Sequence, residues 1–186
     1  FPPQQDAYGH WNRFFDGVFD RAVELELYDL ATGEMTQLSE GLGIAKDHCP
    51  IFTPDGTAVI TFAYQGMTTA PYRISLADRT TTCLIDASDE EITHGANPLV
   101  TSRTENSDKM AYAYLSGNGE WLYFLGGRNS RTSICRVPVK EAGKAELVLP
   151  AASDIQCFYR NEKGDLAYAM GDLNAPPELY VNGVRL

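Results

Sequence analysis

The 186-residue chain carries 25 acidic against 15 basic side chains, a formal net charge of -10, with 44% hydrophobic and 11% aromatic residues. That balance argues against nucleic acid as a partner, because neutralising phosphates takes clustered Lys and Arg. No apolar run approaches the roughly eighteen residues of a membrane span, so a soluble domain with no membrane partner is expected.

Phe1 to Phe19 is rich in aromatics and proline (Pro2, Pro3, Tyr8, Trp11, Phe14, Phe15) without a clean period, and reads as irregular with a turn at Asp16-Gly17. Its aromatics suit packing of a partial repeat against its neighbour, or the lining of a pocket. No charged leader followed by an apolar core is visible. Cys49, Cys83, Cys135 and Cys157 lie far apart with no zinc spacing, and read as reduced small hydrophobes. A cytoplasmic location, with no metal and no cofactor, is the expectation.

From Ala22, the residues Val23, Leu25 and Leu27 alternate with Glu24, Glu26 and Tyr28, the signature of a half-buried strand, and Met35 to Leu38 returns after a turn at Thr32-Gly33. Next comes Cys49 to Phe62, whose Pro54-Asp55-Gly56 corner joins two apolar runs. Pro54 presets φ, Asp55 bonds its own backbone, and Gly56 accepts positive φ. Further strands are expected over Tyr72 to Leu76 and Thr80 to Ile85, then a polar passage from Asp86 to Asp108.

The pattern returns as Met110 to Tyr114, a Ser116-Gly117-Asn118-Gly119 turn, Glu120 to Leu125, Cys135 to Val139 and Ala145 to Leu149, with Pro138 marking an edge or a strand end. It returns once more as Ile155 to Tyr159, a Glu162-Lys163-Gly164 turn, Leu166 to Met170, Glu178 to Val181 and the hairpin dipeptide Asn182-Gly183. A fourth strand should begin where the chain stops.

Gly56 to Gly119 is 63 residues and Gly119 to Gly164 is 45, while Leu76 to Val139 is 63 and Val139 to Val181 is 42. Two markers lengthen together, which implies a repeat of roughly 45 residues interrupted by an insertion of roughly eighteen. A four-stranded unit repeated at that period predicts an all-β chain, a β-propeller fragment of about four blades of four antiparallel strands. Residues 1-40 make an incomplete first blade, 48-86 a blade, 87-108 the insertion, 109-150 a blade, and 154-186 an incomplete last blade.

Phe52-Thr-Pro-Asp-Gly-x-x-Val-Ile-Thr-Phe62 resembles the Pro-Asp-Gly blade signature shared by TolB-like propellers and the propellers of the prolyl oligopeptidase family of serine peptidases. Asp172-Leu-Asn-Ala-Pro-Pro-Glu-Leu-Tyr-Val181 is similar to a strand late in the propeller of acylaminoacyl-peptidase and dipeptidyl-aminopeptidase relatives. The resemblance covers about Glu24 to Leu186. It implies a non-catalytic propeller that gates access of short peptides to an α/β-hydrolase domain of the same parent, that domain lying outside this chain. A free-standing TolB-like interaction module is the alternative, and a propeller glycosidase with paired carboxylates a third.

No Gly-x-Ser-x-Gly occurs, and Ser116, the nearest candidate nucleophile, reads as a turn residue, so the chain alone is expected to be inactive. His10, His48 and His94 share no ligand spacing. Glu90 and Glu91, in the insertion, invite comparison with the paired glutamates that hold a substrate amine in dipeptidyl peptidases; a solvated acidic loop explains them equally. Arg128 and Arg131, read as part of a turn from Gly126 to Arg131, either meet a peptide carboxylate or simply face solvent. Terminal blades with one uncovered apolar face each predict self-association of the isolated fragment.

Overall fold

The computed structural model describes residues 22–45, 50–65, 68–86, 113–128, 131–149, 154–172 and 174–186, and these form strands and turns without a helix. Among them no helix is long and apolar enough to cross a membrane. The expected insertion and the histidines lie outside the described residues.

Strand β1 (Ala22–Val23) is followed by a hairpin of β2 (Glu26–Tyr28) and β3 (Met35–Gln37). The strand expected from Ala22 through Tyr28 therefore splits. Its first part leaves the hairpin and pairs with β4 (Ile44–Ala45). The second sheet holds β1, β4, β5 (Ile51–Phe52), β6 (Ala58–Gln65), β7 (Thr68–Ser75) and β8 (Thr81–Cys83). Strands β4 and β5 share one edge of β6, Ile44 pairing Ala63 and Phe52 pairing Val59. This sheet thus begins before residue 48, and its first strand is two short pieces.

The third sheet runs β9 (Ala113–Leu115), β10 (Trp121–Arg128), β11 (Arg131–Pro138), β12 (Glu146–Leu147) as an antiparallel meander. The fourth runs β13 (Asp154–Arg160), β14 (Leu166–Asp172), β15 (Ala175–Val181), β16 (Val184–Arg185), its last strand a two-residue stub. The architecture is a partial β-propeller of about four blades.

Alternation along each middle strand distributes side chains to two cores. On β10, Leu122 and Phe124 join Ile60, Phe62 and Leu84 between the second and third sheets, while Tyr123 and Leu125 join Ile155, Phe158 and Tyr168 between the third and fourth. A smaller cluster of Leu38, Val59 and Ile74 ties the first hairpin to the second sheet. Strand β13 keeps both Ile155 and Phe158 inward because its register slips at Gln156, the extra residue of a bulge.

A backbone latch joins the second sheet to the third. Pro71 sits fully buried inside β7, where its carbonyl accepts the Leu84 N–H at 2.9 Å. An antiparallel pair would return that bond, but proline has no N–H to give. The Leu84 carbonyl instead accepts the N–H of Gly143 at 3.0 Å, and the Gly143 carbonyl accepts that of Asp86 at 3.0 Å, a parallel bridge between sheets. Only glycine permits it, since a Cβ on Gly143 would lie 2.6 Å from Cγ of Pro138.

The β10–β11 hairpin is longer than the sequence suggests. Gly126 and Gly127, taken as turn residues, are ladder residues opposite Ser133 and Thr132. Their lack of a side chain serves close packing: a Cβ on Gly126 would stand 2.9 Å from the Cys135 sulfur. Pro138 does end its strand, as expected.

Replacing Gly143 by valine should cost about 1–3 kcal/mol through overpacking against the Pro138 ring. In urea unfolding the midpoint should fall with the slope unchanged, whereas Gly117→Ala, with its nearest neighbour 3.7 Å away, should leave the midpoint in place.

Candidate functional site at the blade corners

Three corners, at Gly56, Gly119 and Gly164, all have positive φ (66°, 71° and 95°), as the turn chemistry requires. In each, a polar residue three positions earlier closes the loop: Thr53, Ser116 and Asn161 accept through their backbone carbonyls from Gly56, Gly119 and Gly164 at 2.8, 2.8 and 3.0 Å. These residues recur at the same 63- and 45-residue intervals as the glycines.

The side chains act too. The Thr53 hydroxyl donates to Asp55 Oδ1 at 2.6 Å and accepts from the Ala58 N–H at 3.1 Å. Ser116 repeats this, donating to Asn118 Oδ1 at 2.6 Å and accepting from the Trp121 N–H at 3.0 Å. Asn161 does the work with an amide, its Oδ1 accepting from the Asp165 N–H at 2.8 Å. Ser116 is therefore a buried corner residue with its hydroxyl committed on both sides.

Asp55 Oδ1 also receives the N–H and hydroxyl of Thr57 at 3.0 and 2.9 Å. Those donors, the Thr53 hydroxyl first, with Arg73 adding its charge, hold the Asp55 carboxyl down at about 2.

The corners of the second and third sheets touch. A Cβ on Gly119 would lie 2.9 Å from Cδ of Pro54, so the Pro54 ring rests on bare backbone. Beside this contact opens a cleft of about 550 Å³, walled by Asp55 and Arg73 on one side and by Asn118 and Lys140 on the other. Arg73 and Lys140 were not singled out by the sequence reading. The offset of 63 residues that aligns Gly56 with Gly119 also aligns Arg73 with Arg136, and that comparison is the available signal.

Of the residues that were singled out, Glu90 and Glu91 lie outside the described residues. Arg128 and Arg131 form the last ladder pair of the β10–β11 hairpin, so both belong to the strands. Cys83, Cys135 and Cys157 are thiols rather than disulfide halves, the first two donating to the Ile85 and Ser133 carbonyls at 3.6 and 3.8 Å. Among the described residues, no three His, Cys, Asp or Glu side chains converge as a metal site would require.

No protein-family model matches the chain, and no curated protein sequence matches it. Solved structures do. A putative TolB from Agrobacterium tumefaciens superposes with a TM-score of 0.55 at 14% identity, over 90% of this chain and 56% of its own. TolB from Acinetobacter baumannii gives 0.54 at 17% identity, over 85% and 34%. An acylaminoacyl peptidase from Pyrococcus horikoshii gives 0.51 at 16% identity, over 88% and 22%. The chain thus spans from about a fifth to just over half of these proteins. The likeness establishes the propeller fold, in the two kinds of protein to which the Pro-Asp-Gly corner pointed.

Because the Asp55 carboxyl titrates lower folded than its usual unfolded value near 4, it contributes stability that is present above about pH 4 and lost as pH falls towards 2. Asp55→Asn keeps an Oδ1 acceptor, as Asn118 does, but cannot titrate. Unfolding midpoints measured between pH 5 and 2 should fall less steeply in the variant; parallel curves would refute the assignment.

Proposed function

We propose that this chain is the propeller portion of a serine peptidase of the prolyl oligopeptidase kind, where it gates short peptides towards an α/β-hydrolase domain of the same parent protein. The observation that carries the reading is the fold shared with the P. horikoshii acylaminoacyl peptidase, of which the chain would be about a fifth. The Ala175–Val181 strand adds to it. Strand β16 pairs only with Tyr180 and Val181, so Pro176 and Pro177, which lack N–H groups, fall on the part of β15 it leaves uncovered. In such a parent, Glu90 and Glu91 would hold a substrate amine, and Arg128 and Arg131 a peptide carboxylate.

A second reading, a TolB-like interaction module, is favoured by the slightly better superposition on the TolB structures. A fluorophosphonate probe distinguishes the two, since it labels only an activated serine. Under the peptidase reading, the natural full-length protein is labelled outside residues 1–186 and Ser116 stays unlabelled. Labelling at Ser116 would overturn the scaffold role, and an unlabelled full-length protein would favour the TolB-like module.

The outer face of the last sheet bears on partners. Phe158, Tyr168 and Tyr180 point into the core, so Leu179 and Val181, which flank Tyr180 along the strand, lie on the opposite face, where Leu179 is 51% exposed; Tyr159, 58% exposed, also meets Tyr114 of the third sheet edge-on at 5.5 Å. In the isolated chain this face would be covered by a second copy. Light scattering of the 186-residue chain should show mass rising with concentration, and Tyr159→Lys with Leu179→Lys should restore a monomer; a monomeric parent chain at all concentrations rejects self-association.

A further inference from the structure

We propose that the cleft between the second and third sheets is a further carboxylate site, apart from Arg128 and Arg131, that binds the carboxylate terminus of a short peptide, with Arg73 and Lys140 supplying the two cationic contacts. The argument starts from repeat-equivalent arginines. Arg136 on β11 stands directly opposite Glu146 and bonds it at 2.7 Å, while its guanidinium lies 4.3 Å over the Trp121 ring. Arg73 occupies the same place one repeat earlier. There the residue opposite is Thr82, and the position of Trp121 is taken by Ala58. Both partners that neutralise and stack the later arginine are missing from the earlier one.

Arg73 is not swung away from the cleft. It pairs with Ile60, whose side chain belongs to the core between the two sheets, so both lie on the face towards the third sheet. Lys140 enters from across the gap, just beyond β11, and among the described residues it has no carboxylate partner. Asp55 supplies the only lining carboxylate; its Oδ1 is filled by Thr53 and Thr57, and Arg73 adds its charge there without a hydrogen bond or ion pair joining the two.

The lining charge therefore sums to a single positive unit in a chain whose net charge is -10. That suits a monoanion better than a phosphate dianion. Glu120, tied to Asn118 Nδ2 at 2.6 Å, brings a further negative charge near the cleft, which weakens its pull on any anion and penalises a dianion most. Pro54, Gly119 and Val139 give the cleft an apolar floor, and its 550 Å³ falls within the range of small-ligand pockets.

The probe is acetyl-trialanine with a free carboxylate, titrated into the nitrogen-labelled chain beside its carboxamide analogue and inorganic phosphate. Saturable shifts are expected at Gly119, Lys140 and the Arg73 side chain, with the carboxamide weaker by about tenfold or more, the scale of one charge-assisted hydrogen bond. Lys140→Gln, at an exposed position, should weaken the peptide similarly while leaving the thermal midpoint unchanged. Arg73→Gln should do the same to binding, and its folded state is checked by an unchanged shift pattern at Gly164. Equal affinity for acid and amide, undiminished binding in Lys140→Gln, or phosphate binding more tightly than the peptide would each overturn the proposal.

Discussion

The Leu84 carbonyl accepts from the next sheet because Pro71 has no N–H with which to occupy it, and that bond fixes one point of contact between the second and third sheets. Each middle strand is apolar on both faces, so a single sheet of this chain cannot bury what it carries. Stacking solves this only at a spacing where Phe62 meets Phe124 edge-on at 6.1 Å and Tyr114 meets Phe158 at 5.2 Å. The Gly143 latch supplies directional bonds between backbones, which the hydrophobic effect by itself does not. Gly119 under the Pro54 ring adds close van der Waals packing at the corner rim.

The latch explains a proline that strand chemistry alone makes puzzling. A proline within a strand paired on both sides normally removes a ladder bond and leaves its partner carbonyl without a donor. Here the vacated acceptor is used across the sheet boundary, and the N–H it accepts comes from the one residue type whose backbone can approach that closely. The cost of the missing ladder bond is thereby offset within the same pair of sheets.

Much of this architecture was legible from residues alone, and the reason is local. Period-2 alternation and positive-φ glycines are short-range signals, so the strands around Gly56, Gly119 and Gly164, and the spacing between them, follow from the sequence. Long-range features were not visible. The Gly126-Gly127 pair looks like a loop until Cys135 is brought against it, and Ala22–Val23 looks continuous with Glu26–Tyr28 until Ile44–Ala45 competes for it. The cleft was hidden for the same reason, because Arg73 and Lys140 are 67 residues apart and become neighbours only when two sheets stack.

The corners also show how a conspicuous residue type can mislead. Asp55 invites a chemical reading, and its recurrence as Asn118 suggests that only the turn shape is retained. What recurs is an oxygen: Asp55 and Asn118 both offer Oδ1 to a hydroxyl two residues earlier and a backbone N–H two residues later. Thr53 and Ser116 likewise spend their hydroxyls on a strand N–H five positions on. A hydroxyl that donates to one neighbour and accepts from another at an almost buried position is poorly placed to attack a substrate. The same geometry makes it a good closure for a strand pair that would otherwise fray, because it satisfies a backbone donor that the tight turn leaves without a ladder partner. The distinctive polar residues of the corners are therefore consumed by the fold. Charge held by no cross-strand ion pair is found instead where one repeat departs from the next, and Arg73, facing Thr82 where Arg136 faces Glu146, is the clearest such departure.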